Sequence, residues 1–242
     1  MSSLQPHQLS LSVGLRDDAT LENFYSHHND LAVQAVERIA QGSDGAAGDA
    51  VAEPFVYLWG EPGAGCSHLL QAACHRAGLH QRSAFYLPLD QFMNQGPRLL
   101  DGLETLDLVC IDQLQKVAGL AEWDEALFHL FNRIRDAGHQ LLVAADAAPR
   151  QLAVALPDLA SRLSWGVVLR IHALDDDGKM AALRARAHDR GIELDEGVVQ
   201  YIFYRSPRQT HELFALLDRL DRASLSAQRK VTIPFVKQLL GW

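Results

Sequence analysis

The sequence predicts an α/β fold, a mostly parallel sheet domain followed by a small all-helical domain. Three observations carry this. Short apolar runs alternate with helical patterns as far as residue 171. A glycine-rich segment, Gly60 to Ser67, joins the first of these runs to a helix. After Asp175-Asp176-Asp177 no strand pattern returns, and only helical spacing continues.

The elements follow in order. Residues 1–19 read as a polar tail with one alternating segment, Gln8 to Val13. From Asn29 to Gln41 the residues Leu31, Ala32, Ala35, Val36 and Ile39 recur at helical spacing. Gly42 to Asp49 is small and polar and reads as a loop. Phe55 to Trp59 is a continuous apolar run that ends in glycine, the pattern of a strand buried on both faces. His68 to Ala77 reads as a helix, Ser83 to Leu87 as a second strand, and Leu108 to Ile111 as a third, closed by Asp112. Glu122 to Ala137 is helical, with Ala126, Leu127, Leu130, Phe131 and Ile134 on one face. Gln140 to Ala145 and Gly166 to Ile171 are the fourth and fifth strands. Beyond them, Lys179 to Arg190 is a helix capped by an aspartate of the triple run, and Glu196 to Tyr204 a helix with Asp195 as its cap. Pro207 to Ala223 carries the stripe Leu213, Leu216, Leu217 and Leu220, and Pro234 to Leu240 starts with proline in its first turn. The predicted organisation is a tail at 1–19, an α/β domain at 20–172 and a helical domain at 173–242.

Composition narrows the function. The 242 residues are 48% hydrophobic, ample for a core. With 22 basic against 30 acidic side chains, the net charge of −8 argues against coating DNA by charge alone. Arg184, Arg186 and Arg190 form the most basic stretch, and their spacing reads as a solvated helix face. Cys66, Cys74 and Cys110 form no CxxC pair, which excludes zinc-knuckle and dithiol motifs and fits a reducing cytoplasm. The first residues lack a signal-peptide pattern, and no apolar run approaches the ~20 residues of a membrane helix.

The chemistry sits in Gly60-Glu61-Pro62-Gly63-Ala64-Gly65-Cys66-Ser67. Its spacing is that of GxxxxGK(S/T), with Cys66 where the lysine belongs. Glycines let backbone N–H groups converge on a phosphate, and the helix N-terminus adds partial positive charge. Ser67 is placed to ligate magnesium, and Asp112 to hold it through water. Gln113 follows where a glutamate would orient an attacking water, and an amide cannot act as a base. Loss of both the lysine and the glutamate weakens hydrolysis and leaves backbone binding of a diphosphate. A thiol at a helix start can have a lowered pKa, but a small side chain tolerated in place of lysine is the simpler reading of Cys66.

These motifs resemble the AAA+ family of P-loop NTPases, whose parallel sheet domain is followed by a helical lid, and within it the DnaA/Hda branch. Thr20-Leu21-Glu22-Asn23-Phe24 with Asn29-Asp30-Leu31-Ala32 resembles the segment that lines the adenine side of the site. Leu159 to Gly166, with Arg162, resembles the box that holds the arginine finger, and Asp146 stands where the first sensor is placed. Gly63-Ala64-Gly65 followed by Ser67-His68-Leu69-Leu70, and the segment Arg229 to Lys237, resemble the shorter, Hda-like members. So does Gln8-Leu9-Ser10-Leu11, similar to their sliding-clamp-binding motif. In the lid, His211 takes the second-sensor position, and Arg208 is a candidate substitute.

The resemblance implies a negative regulator of replication initiation in the cytoplasm. Its partners would be the DnaA initiator and the DNA polymerase III sliding clamp (β subunit), with no membrane and no sequence-specific DNA contact. ADP or another nucleoside diphosphate, with magnesium, would occupy the loop at Gly60, Pro62, Gly63, Ala64, Gly65, Cys66, Ser67 and His68. Arg162 would act in trans, and the chain itself would not be a competent ATPase. A homo-oligomer stays open. So do an autonomous AAA+ ATPase of the helicase-loader or clamp-loader type and a DNA-binding initiator-like protein.

Overall fold

Apolar runs become strands where packing covers at least one of their faces, and five do so here. In the computed structural model, which describes residues 15, 19–26, 28–42, 54–227 and 229–242, they form one parallel sheet. The strands are β1 (Phe55–Trp59), β2 (Ala84–Pro88), β3 (Leu108–Asp112), β4 (Gln140–Ala145) and β5 (Val167–Arg170), in the order β2-β3-β4-β1-β5. The described residues divide into two compact units, one ending at His172 and the other starting at Ala173.

The two-residue period of a strand sorts the first unit into two cores. Val56, Leu58, Leu108, Cys110, Leu142 and Ala144 face α1 (Asp30–Gln41) and α2 (Cys66–Leu79). Phe55, Tyr57, Val109, Ile111, Leu141 and Val143 face the other way. There they meet α3 (Leu89–Phe92), α4 (Ala121–Ala137) and α5 (Pro157–Leu163). In α1 the buried stripe is Ala32, Val36, Ile39 and Ala40, one residue out of phase with Leu31, which is 72% exposed. Leu31 therefore does not belong to the core stripe that its spacing suggested. α3 and α5 carry no long periodic pattern and are not legible in the sequence; α5 starts on a proline at its first turn.

The second unit packs α6 (Asp176–Asp189), α7 (Glu196–Arg205), α8 (Thr210–Ala227) and α9 (Ile233–Leu240) around Leu183, Ile202, Phe203, Leu213, Leu217 and Val236. The expected aspartate cap of α6 is Asp175, whose side chain accepts from the Gly178 N–H at 2.7 Å. Asp195 stands at the start of α7, but its side chain makes no capping bond. α8 begins three residues after Pro207. The Ser206 N–H and hydroxyl both bond back to the Ile202 carbonyl and end α7, and the Gln209 carbonyl accepts the first bonds of α8. Thr232 caps α9 by accepting from the Phe235 N–H.

The basic stretch needs correcting. Arg184 is exposed, but Arg186 is 5% exposed with its guanidinium 4.4 Å from the Phe214 ring centre, and Arg190 pairs with Asp218. Arg186 and Arg190 are one helical turn apart, as are Phe214 and Asp218. The two pairs meet where α6 packs on α8.

Candidate functional site

In a parallel sheet the loops that leave the strand carboxyl ends converge at one edge, and that edge is where ligands bind. Here it gathers the loop after β1, Asp112 at the end of β3 and Asp146 just beyond β4. The loop keeps its shape through glycine. Gly65 begins α2 at φ +109°, and a Cβ there would lie 2.7 Å from the Phe24 ring. Gly60 donates to the Ala145 carbonyl, and Ala64 to the Glu61 carbonyl. No side chain caps α2 and no carboxylate occupies its first turn. The start of this helix thus fits an anion: unopposed amides and a positive dipole end.

At the lysine position, burial pushes the Cys66 thiol up to about 12, with the Asp112 carboxylate adding to the rise. The lowered pKa that a helix N-terminus can produce is therefore not found at this residue. A thiol that stays protonated brings no charge to a phosphate.

Asp112 is 3% exposed and hydrogen-bonded through both of its oxygens. One oxygen accepts from the Tyr86 hydroxyl at 2.7 Å, the other from the Gln113 N–H at 2.8 Å, and the Ser67 hydroxyl bonds the same carboxylate. Burial raises the Asp112 pKa, and these bonds pull against the rise. Ser67 and Asp112, predicted to share a magnesium ion, are thus brought together, and a hydroxyl beside a carboxylate fits a hard cation completed by water and phosphate. Elsewhere, no group of three or more His, Cys, Asp and Glu among the described residues could hold a metal. Gln113 sits at φ +62° with its amide oxygen accepting from Gln115.

The lead-in segment closes over the loop. Thr20 and Asn23 bond one another through side chain and backbone in both directions, forming a rigid turn. Phe24 lies against Gly65 and 5.5 Å from the His68 ring. A ring nitrogen of His68 bonds the Thr20 carbonyl at 2.8 Å, so His68 holds this segment down. Asn29 ties the same stretch to the far end of β5, its amide bridging the N–H and carbonyl of His172 at 2.8 and 3.0 Å. Asp146 is exposed, and its charge reaches the buried Tyr57 hydroxyl, which also feels Cys66 and donates to the Ala147 carbonyl.

Arg162 lies elsewhere. It ends α5, just before Trp165, and a Cβ on Gly166 would lie 2.5 Å from the Phe55 carbonyl at the start of β1. The phosphate loop leaves the other end of β1, and five residues at about 3.3 Å each separate the two by roughly 16 Å. Arg162 and the chain's own loop are on opposite edges of the sheet. Its guanidinium lies over the rings of Trp165 and Phe131, at 5.2 and 5.8 Å, and among the described residues it pairs with no carboxylate.

With this geometry in hand, the family can be given. A family model described as the bacterial DnaA ATPase domain matches residues 15–170, and one described as the lid domain of Hda matches 176–240. The chain belongs to the DnaA/Hda-like AAA+ family. Domain III of the replication initiation protein DnaA from Thermotoga maritima shares 23% identity over 94% of this chain and 97% of that one, at a TM-score of 0.74. AMPPCP-bound DnaA from Aquifex aeolicus shares 23% over 87% and 67%, at 0.68. The Thermotoga maritima Holliday junction branch migration motor RuvB shares 16% over 90% and 67%, at 0.61. At these identities the structural likeness establishes the fold.

For a DnaA/Hda-like chain, the second-sensor candidates differ in state. His211 is exposed in the first turn of α8. Arg208, also exposed, lies over the Phe203 and Tyr204 rings and pairs with Asp176 at 3.2 Å. Gln8, Leu9, Ser10 and Leu11 lie outside the described residues. Two contributors were missed in the sequence. Tyr86 was seen only as part of a strand, because its role depends on β2 pairing with β3. Trp165 was read only as a letter of the finger motif, because its contact with Arg162 depends on how α5 turns into β5.

Proposed function

We propose that this chain switches off a DnaA-type initiator by inserting Arg162 into the ATP site of that partner. The observation that carries the reading is the position of Arg162. It sits on the sheet edge opposite the chain's own phosphate loop, with no carboxylate among the described residues neutralising it, so an outside anion is what it can serve. A planar guanidinium matches the charge that spreads over a phosphoryl group in transfer, and a finger supplied in trans is worth ~10³–10⁵ in rate.

The chain's own loop is then a regulatory site. The solved relative with AMPPCP supports nucleotide binding in this fold family, and the uncapped start of α2 supports binding of phosphate here. Ser67 and Asp112 would hold magnesium, and a bound ADP would supply the charge that fixes the loop beneath Phe24. Cys66 and Gln113 point to little or no hydrolysis by the chain itself. The Gln8–Leu11 tail, as a clamp-binding peptide, would direct the activity to newly copied DNA.

The test is the rate of ATP hydrolysis by DnaA in the presence of clamp-loaded DNA. The wild-type chain should raise it, and Arg162→Ala should lower that stimulation by roughly a thousandfold with clamp binding intact. Full stimulation by Arg162→Ala would refute the reading.

A further inference from the structure

We infer that Trp165 is a positioning residue for Arg162, and this rests on the trans role proposed above. The Arg162 guanidinium rests against a pair of adjoining rings, Trp165 at 5.2 Å and Phe131 at 5.8 Å, whose centres are 6.2 Å apart and tilted by 37°, so that both rings support it from one side. An aromatic support differs from an ion pair in one decisive way. A carboxylate partner would hold the arginine but also neutralise it and compete with an incoming phosphate. Ring faces hold the cation and leave its charge and its N–H groups free. The long side chain is ordered before the partner arrives, so docking does not have to order it.

Trp165 is itself fixed from behind. Its backbone N–H donates to the Arg162 carbonyl at 2.9 Å. Gly166 follows at φ +86°, pressed so close to the Phe55 carbonyl that no side chain fits. The start of β1 thereby sets the position of the indole, and the indole sets that of the guanidinium. The ring is 52% exposed and roofs a hollow of about 210 Å³ over Pro54, Ile134 and Leu141. It is not wedged into the core, so it can be replaced without unfolding the sheet. Phe131, 5% exposed, is a core residue and is left intact.

The experiment compares Trp165→Ala, Trp165→Phe and Arg162→Ala in two readouts. The first is NMR of the Arg162 side chain in the isolated protein, where its protons should carry a ring-current shift that Trp165→Ala reduces to the contribution of Phe131 and Trp165→Phe largely keeps. The second is stimulated ATP hydrolysis by DnaA on clamp-loaded DNA. Trp165→Ala should lower the maximal rate roughly five- to thirty-fold at an unchanged half-saturating concentration, and Trp165→Phe should restore most of it. If the Arg162 resonances stay in place in Trp165→Ala, the aromatic support does not exist. If they move while hydrolysis is unchanged, the support has no role in positioning. If Arg162→Ala itself keeps full stimulation, the trans role is wrong, and the assignment of Trp165 falls with it.

Discussion

A thiol held at about 12 should be almost inert at neutral pH, and Cys66 offers a direct measure of that. Its ordinary value is near 9, so burial and the adjacent Asp112 carboxylate move it by about three units. At pH 8 an ordinary thiol is about one-tenth thiolate and this one about one ten-thousandth, a difference of roughly a thousandfold in the reactive form. Steric shielding would also slow a reagent, but without dependence on pH. The profile separates the two. Between pH 8 and 10 an ordinary thiol gains about tenfold in rate and bends near 9, whereas Cys66 should gain about a hundredfold without bending. Brief alkylation with iodoacetamide, quantified on the Cys66 peptide by mass spectrometry, reads this. Asp112→Asn, which removes one of the two causes, should shift the profile part of the way back. A bend at or below pH 9 in the wild type would mean that the helix dipole outweighs burial, and the account of this position would be wrong. The linkage has a fixed sign. The unfolded thiol releases its proton near 9 and the folded one near 12, so Cys66 contributes to a loss of stability as pH rises between them.

Three further outcomes follow from named contacts. Burial raises the native Asp112 pKa above its unfolded value, so this group should cost stability as pH rises through that window; Asp112→Asn removes the titration and should flatten that part of the pH dependence, read as Tm across a pH series. Magnesium-dependent nucleotide binding should be lost in the same variant. Asn29→Ala should cost about 2 kcal/mol in chemical denaturation, since it strips two bonds from His172. Arg186→Ala should speed hydrogen exchange in α6 and α8 by removing a buried side chain that packs on Phe214, at a cost of about 2 kcal/mol, while exchange in the sheet stays unchanged.

What was legible in the sequence is what a short window contains. β1 and β4 are found at their predicted limits because each is a continuous apolar run closed by a turn residue. The glycine loop was legible because its spacing is a backbone requirement. The arginines of α6 were misjudged because a one-dimensional pattern shows that Arg186 and Arg190 share a face, and not that α8 presents Phe214 and Asp218 to it. Tyr86 was hidden for the same reason. Its hydroxyl reaches Asp112 only because Pro88 pairs with Asp112 across two strands that lie twenty residues apart in the chain. α5 was invisible because seven residues opened by a proline give too short a period to read.

The two edges of the sheet carry opposite kinds of chemistry. At the carboxyl edge the anion-facing features are backbone, namely Gly65 in its left-handed conformation and the uncapped start of α2, and the side chains beside them are a thiol, Cys66, and an amide, Gln113. At the amino edge, the half-buried Arg162 guanidinium rests on two rings and, among the described residues, pairs with no carboxylate. Holding a cation on rings and away from acids is useful only if an anion arrives from outside. On the proposed reading, a loop that holds phosphate without cleaving it would be useful only if its nucleotide persists. The proposed function joins the two features: the chain would keep its own nucleotide and act on that of a neighbour. The refuting observation for the pair is simple to state: rapid hydrolysis by the isolated chain that survives Arg162→Ala.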